Sequence, residues 1–425
     1  MRANQLLGAI LVVSLTITQQ FSAVAQERRE RNPTPPPAGA PATPAATPPA
    51  APPAPAKPGP KPYKDVITAK AKTTKGLFNV HKIDDKYFFE LPENLFGKEI
   101  MAITRFSKVA GGGGVYGGEL ANQQVVKFEK GPDNKVFMRV VTLISVADSA
   151  QPIYKAVTNS NLDPIAASFD IKSLGKDSSG AVIEVTEFFK GDNQAVSVNS
   201  QSKRRLNLTG LLNDRSYIDA IKSFPINTEV RTVKTYGSSP APAGAGGFGM
   251  PSSSLPAANA AGAVTLEINT SFIKLPENPM QRRMNEPRIG FFAEDYTRYS
   301  DDQQKVENES FVVRWRLEPK KEDAEKWKKG ELVEPVKPIV YYIDPATPKK
   351  WRPYLIQGIN DWQKSFEKAG FKNAIVGKEW PENDTTMSLE DARFSVLRYF
   401  ASDIPNAYGP NVHDPRTGEI IESHI

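Results

Sequence analysis

The stretch KPIVYYIDPATPKKWRPYLIQGINDWQKSFEKAGFKNAIVG, Lys337–Gly377, changes the grammar of the chain. Ile339–Ile343 is a continuous apolar run, the pattern of a strand covered on both faces. Further on, Leu355, Ile359, Trp362, Phe366 and Ala369 step by four, three, four and three, so they share one face of a helix. Pro348 or Pro353 suits the first helical position. Gly370 suits the left-handed residue that ends the helix, with Phe371 placed to fold back. The runs NAIVG (Asn373–Gly377) and FSVLRYFA (Phe394–Ala401) read as strands. The stretch NAYGPNVHDPRTGEIIESHI, Asn406–Ile425, reads as a hairpin about Pro415–Gly418, with Gly418 supplying the positive φ of the turn. Strand, helix, strand, strand, hairpin is the opening of an α/β unit. Its twisted sheet has one face under the helix Leu355–Ala369 and the other face bare.

Upstream, strands dominate. LFNVHKIDDKYFFELPE makes two short strands about Asp84-Asp85, and KEIMAITRFSKVA, QVVKFEK, KVFMRVVTLISVA, AVIEVTEFF, EVRTVKTYG, AVTLEINTSFIKL and ESFVVRWRLEP follow at hairpin-like separations. Such spacing predicts an antiparallel sandwich or barrel-like body over 63–319. The fold class expected for the whole is therefore α+β. A small β-rich segment (63–107) and a β-rich accessory domain (108–319) precede the α/β unit (320–425). Ser238–Gly262 is small, polar and of low complexity, and is expected to be a disordered surface loop.

The start has basic Arg2, an apolar core Leu6–Ile17 and the small-x-small site Ala23-Val24-Ala25. This is the anatomy of a cleaved secretory signal (1–25), and the apolar run is short against the roughly 20 residues a bilayer needs. The expected location is exported, periplasmic or extracellular, with no stable membrane span after cleavage. Residues 26–62 are a Pro/Ala-rich linker, too poor in apolar side chains to offset chain entropy. The absence of Cys excludes disulfides, thiolate metal ligands and a lipidated cysteine. A net charge of +6 with both signs mixed, and no basic stripe interleaved with aromatics, argues against a nucleic-acid partner.

The chain has three histidines, His81, His413 and His424. If Asp414 pairs with Glu419, His424 falls opposite Gly409. It then shares a face with His413 about 13 Å away, at roughly 3.3 Å per residue. Zinc–nitrogen bonds are about 2 Å, so that pair cannot hold one ion. All three read as surface or turn residues. VAGGGGVYGGE (Val109–Glu119) lacks the lysine and helix of a phosphate loop and reads as a hairpin tip, with a binding loop as its functional alternative. Asp301-Asp302 and the pair Glu419 and Glu422 could do acid–base work, but read more simply as solvated groups. No G-x-S-x-G occurs.

From about Glu286, the motifs Lys337–Tyr342 with Pro345, KWRPY (Lys350–Tyr354), GINDWQ (Gly358–Gln363) and Gly409-Pro410 with Asp414-Pro415-Arg416 resemble secreted bacterial zinc-dependent metalloproteases. These carry a met-zincin catalytic domain behind two β-rich domains of unknown function. The resemblance extends, less specifically, back to Tyr63. It implies that 320–425 is the N-terminal half of a zinc metallopeptidase domain acting on protein or peptide substrates. It also implies that a helix bearing H-E-x-x-H follows. That motif is absent from Met1–Ile425, so no catalytic or metal-ligating residue is assigned and no zinc is expected on this chain alone. The resemblance further implies a cleft edge strand that binds an extended peptide through Ala407, Tyr408, Gly409, Pro410 and Asn411, with Ile420–His424 as the other candidate. The alternative is a non-catalytic secreted β-protein that binds peptide or glycan.

Overall fold

Among the described residues, strands outweigh helices, 40% to 17%. The computed structural model describes residues 59–112, 114–238, 255–400 and 407–424. The expected signal, the linker as far as residue 58, and 239–254 of the expected loop lie outside the described residues.

In chain order, the first strands are β1 (Lys72–Thr74), β2 (Asn79–Ile83), β3 (Lys86–Leu91), β4 (Glu99–Lys108), β5 (Leu120–Gly131) and β6 (Lys135–Val141). There follow β7 (Ser145–Ala147), β8 (Ile165–Ser173), β9 (Ala181–Glu184), β10 (Leu208–Leu211), β11 (Tyr217–Ser223), β12 (Asn227–Ser238) and β13 (Ala263–Lys274). All but β7 join one twelve-stranded antiparallel sheet, ordered β1-β2-β3-β9-β8-β6-β5-β4-β13-β12-β10, with β11 also on β12. The sheet curls into a nearly closed barrel. Its far end returns to its start, where the Leu77 amide donates to the Phe224 carbonyl at 2.7 Å.

Alternation along each strand sends one set of side chains inward. Phe78, Phe89, Phe128, Phe189 and Phe272 meet in the barrel core, with Phe78 and Phe89 ring centres 5.1 Å apart. Phe189 comes from a short helix, Thr186–Lys190, where the sequence pattern had continued the strand AVIEVTEFF. The stretches 63–107 and 108–319 share this sheet, because β4 pairs with β5 on one side and β13 on the other.

A second sheet places β14 (Ala293–Tyr299) between β15 (Glu307–Val312) and β7. The C-terminal part holds a parallel sheet in which β16 (Ile339–Ile343) lies between β17 (Ile375–Glu379) and β18 (Ser395–Leu397). The hairpin β19 (Asn411–Asp414) and β20 (Glu419–Ser423) forms a separate two-stranded sheet. Pro353 stands in the first turn of the helix Arg352–Asn360, and Gly370 ends the helical stretch at φ 92° with the Phe371 amide bonded back to the Phe366 carbonyl.

Several expectations need correction. The single helix breaks into Arg352–Asn360 and Gln363–Lys368. Asn360 and Asp361 are weak helix formers, and the Asn360 side chain is taken by the Gly377 amide at 2.9 Å. Trp362 consequently leaves the buried face and is 61% exposed. The second face of the parallel sheet is not bare, since Tyr342 packs edge-on against Trp380 and Phe394. Within the expected loop, Pro256–Ala261 is a helix started by proline and ended by Gly262 in the left-handed region, and it buries Ala258. Among the described residues, no helix is long and apolar enough to cross a membrane.

Candidate functional site

Ala407–Pro410 is not strand; β19 begins only at Asn411. Ala407, Tyr408 and Pro410 nevertheless border a cavity of about 590 Å³. Gly409 and Asn411 do not border it, and Asn411 instead holds the His413 ring at 2.8 Å. The alternative stretch contributes Glu422 and His424.

The rest of the wall comes from the barrel. β4 supplies Arg105, β12 supplies Glu229 and Arg231, and β13 supplies Asn269 and Ser271. The tip between β4 and β5 adds Tyr116, Gly117 and Gly118. Gly118 has φ 90°, and a Cβ there would stand 2.9 Å from the Phe400 ring, so the ring lies directly on backbone. Tyr116 and Tyr408 meet edge to face, with centres 5.8 Å apart. The lining thus combines aromatic rings with charged side chains.

Most of those charges are already paired. Arg231 bonds Asp219 at 2.7 Å and Glu390 at 3.3 Å, and Arg398 bonds Asp344 at 2.9 Å. Glu229 is buried and accepts from Asn227 (2.6 Å), Ser271 (2.7 Å) and Asn269. Its burial pushes the carboxyl up, against those donors.

Glu422 is the exception. Its side chain is 9% exposed, and among the described residues it meets His424 Nε2 at 3.6 Å, beyond hydrogen-bond reach. Burial pushes the Glu422 carboxyl up to about 8, the Glu229 charge adds to the rise, and Arg105 opposes it. Burial holds His424 down to about 3, helped by Arg398 and Arg105. Its ring bonds the Phe394 backbone, leaving Nε2 buried without a partner. Both shifts favour the uncharged forms of Glu422 and His424.

The hairpin explains why residue patterns missed this pair. Asp414 faces Glu419 and His413 faces Ile420 as expected, but a bulge then sets Val412 opposite Glu422 and Asn411 opposite Ser423. The His424 amide donates to Pro410, not Gly409. One extra residue turns His424 to the face away from His413. His413 pairs instead with Glu294 at 2.8 Å. His81 is not a surface residue either. It is 3% exposed and bonded to Glu90 (3.0 Å) and Thr73 (2.8 Å).

The three histidines are thus dispersed, and among the described residues no group of three His, Cys, Asp or Glu side chains could hold a metal. The residues present do not fit a zinc ion by themselves. Asp301 accepts from the Ile153 amide at 3.0 Å in an exposed turn and has no part in the cavity.

A nearly closed β-barrel with a cleft against its outer wall is the class of protein that the fold and cavity define. Residues 60–109 match the model of the domain of unknown function DUF5118, and residues 118–320 match that of DUF5117. The chain carries these two domains. Comparison with curated proteins and with solved structures gives no match. The cavity draws Arg105 from the first domain, Glu229 from the second, and Tyr408 and Glu422 from the chain beyond both.

Proposed function

We propose that the chain is the N-terminal portion of an exported zinc-dependent metalloendopeptidase, and that its cavity is one wall of the peptide-binding cleft. The observation that carries this reading is the position of Ala407, Tyr408 and Pro410. They were picked out through resemblance to substrate-binding strands, and they border the cavity beside the barrel. Pro410 lines the cavity with its carbonyl already accepting from Ser423 and the His424 amide, which leaves Ala407 to offer backbone groups to an extended peptide. Tyr408, Tyr116 and Phe400 offer aromatic surface for its side chains. No H-E-x-x-H occurs in Met1–Ile425, so on this reading the zinc ligands would come from elsewhere in the protein.

Two measurements test this. The purified chain with zinc and casein is expected to give no chelator-sensitive cleavage, yet to bind unstructured peptides saturably, with Tyr408→Ala weakening binding about tenfold. The coding sequence past the Ile425 codon is expected to encode H-E-x-x-H; a frame without it would overturn the reading.

A second reading, a non-catalytic secreted β-protein for peptide or glycan, is favoured by one observation. The barrel strands supply Arg105, Glu229, Arg231 and Glu267 to the charged lining of the cavity. Saturable capture of an oligosaccharide at this cavity, blocked by Arg105→Ala, would favour it over the peptidase.

A further inference from the structure

The cleft holds an unexplained group, the Glu422 carboxyl. A side chain 9% exposed and without a hydrogen bond among the described residues is costly unless something supplies a partner. His424 Nε2, buried and also unpartnered, lies on the same side of the cavity. We propose that this end of the cavity is a subsite for a basic side chain, lysine or arginine, of a bound peptide. The inference rests on the peptide-cleft reading and adds its specificity.

The charge balance selects a cation. Glu229 and Asp391 both oppose ionisation of Glu422, and Arg105 is the cation that favours it. Arg105 donates to the Gly118 carbonyl at 3.2 Å, while Arg231 and Arg398 are engaged by carboxylates. A ligand ammonium or guanidinium takes the place of the proton on Glu422 and donates to its oxygens. An anionic side chain would meet Glu229 and Glu422 together. A divalent metal is a poor match, because Asn227, Asn269 and Ser271 already donate to Glu229 and present hydrogens where an ion needs lone pairs. His424 stays neutral under Arg398 and Arg105, so it accepts from the same ligand group rather than repelling it. Tyr408 and Phe400 line the same cavity, suited to a methylene stem and to a cation over a ring.

The test uses the purified chain and nine-residue alanine-rich peptides that differ at one position: Lys, Arg, norleucine or Glu. Lys and Arg peptides are expected to bind at least about tenfold tighter than norleucine, with Glu weakest. Glu422→Gln is expected to bring the Lys-to-norleucine ratio to about one. Calorimetry of the unaltered chain at neutral pH, in two buffers of different ionisation enthalpy, is expected to show close to one proton released per Lys peptide and none per norleucine peptide. That count stands even if the variant fails to fold. Equal binding of Lys and norleucine peptides, or no proton release, overturns the subsite and leaves the cleft. No binding of any peptide overturns both.

Discussion

Gly418 turns the β19–β20 hairpin at φ 76°, and a Cβ there would lie 2.2 Å from the Val312 carbonyl oxygen. Backbone conformation and space both exclude a side chain. Gly418→Ala is expected to cost roughly 1–3 kcal/mol or more, read as a lower denaturant midpoint. Glu90 carries the pH response of the barrel. Hydrogen bonding from His81 is the largest influence holding its carboxyl at about 2, with the Lys176 amide and Asn79 assisting against burial. The unfolded carboxyl protonates near its ordinary 4.5, so the stabilisation is complete above that value and is lost as pH falls toward 2. Relative to Glu90→Gln, the parent chain is expected to lose on the order of 3 kcal/mol of unfolding free energy between about pH 5 and pH 2. A gap that does not change with pH would show that the His81–Glu90 bond contributes no such linkage. The turn glycine was legible because glycine is the residue suited to that φ. The burial of His81 was not, because its partner Glu90 is on the neighbouring strand.

At the scale of elements, the amphipathic stretch after β16 is the most instructive. Its periodicity correctly marked Ile359, now 8% exposed and packed on Ile339, Tyr341 and Ile375. It wrongly marked Trp362, because the period assumes an unbroken helix. Ile359→Ala is therefore expected to cost about 2–5 kcal/mol. Trp362→Ala should change stability by no more than about 0.5 kcal/mol. Parallel thermal unfolding of the two variants checks the contrast, and equal losses would contradict the helix break. The cover over Tyr342 was invisible to any such window, since Trp380 and Phe394 reach it from the two ends of the β17–β18 connection. The bulge in β19–β20 is similar: alternation in both strands fits either register, and one extra residue decides which side chains face the cavity.

For the molecule as a whole, the governing fact is that the DUF5118 and DUF5117 stretches share one sheet. Residues 118–320 alone would lack β1–β4 and with them Phe78 and Phe89 from the core. That fragment is expected to unfold without a cooperative transition and to bind hydrophobic dye, while adding a peptide spanning 59–109 restores cooperativity. A fragment that folds alone would refute the shared core. The β-rich body, the following strand–helix–strand unit and the Gly418 hairpin were determined by sequence alone, because each rests on local periodicity or on a turn that suits glycine. The barrel closure, the break at Trp362, the face His424 takes and the burial of Glu422 beside Glu229 were decided only by tertiary structure. Each depends on which distant backbone supplies a hydrogen bond or excludes water, and no local pattern of residues encodes that.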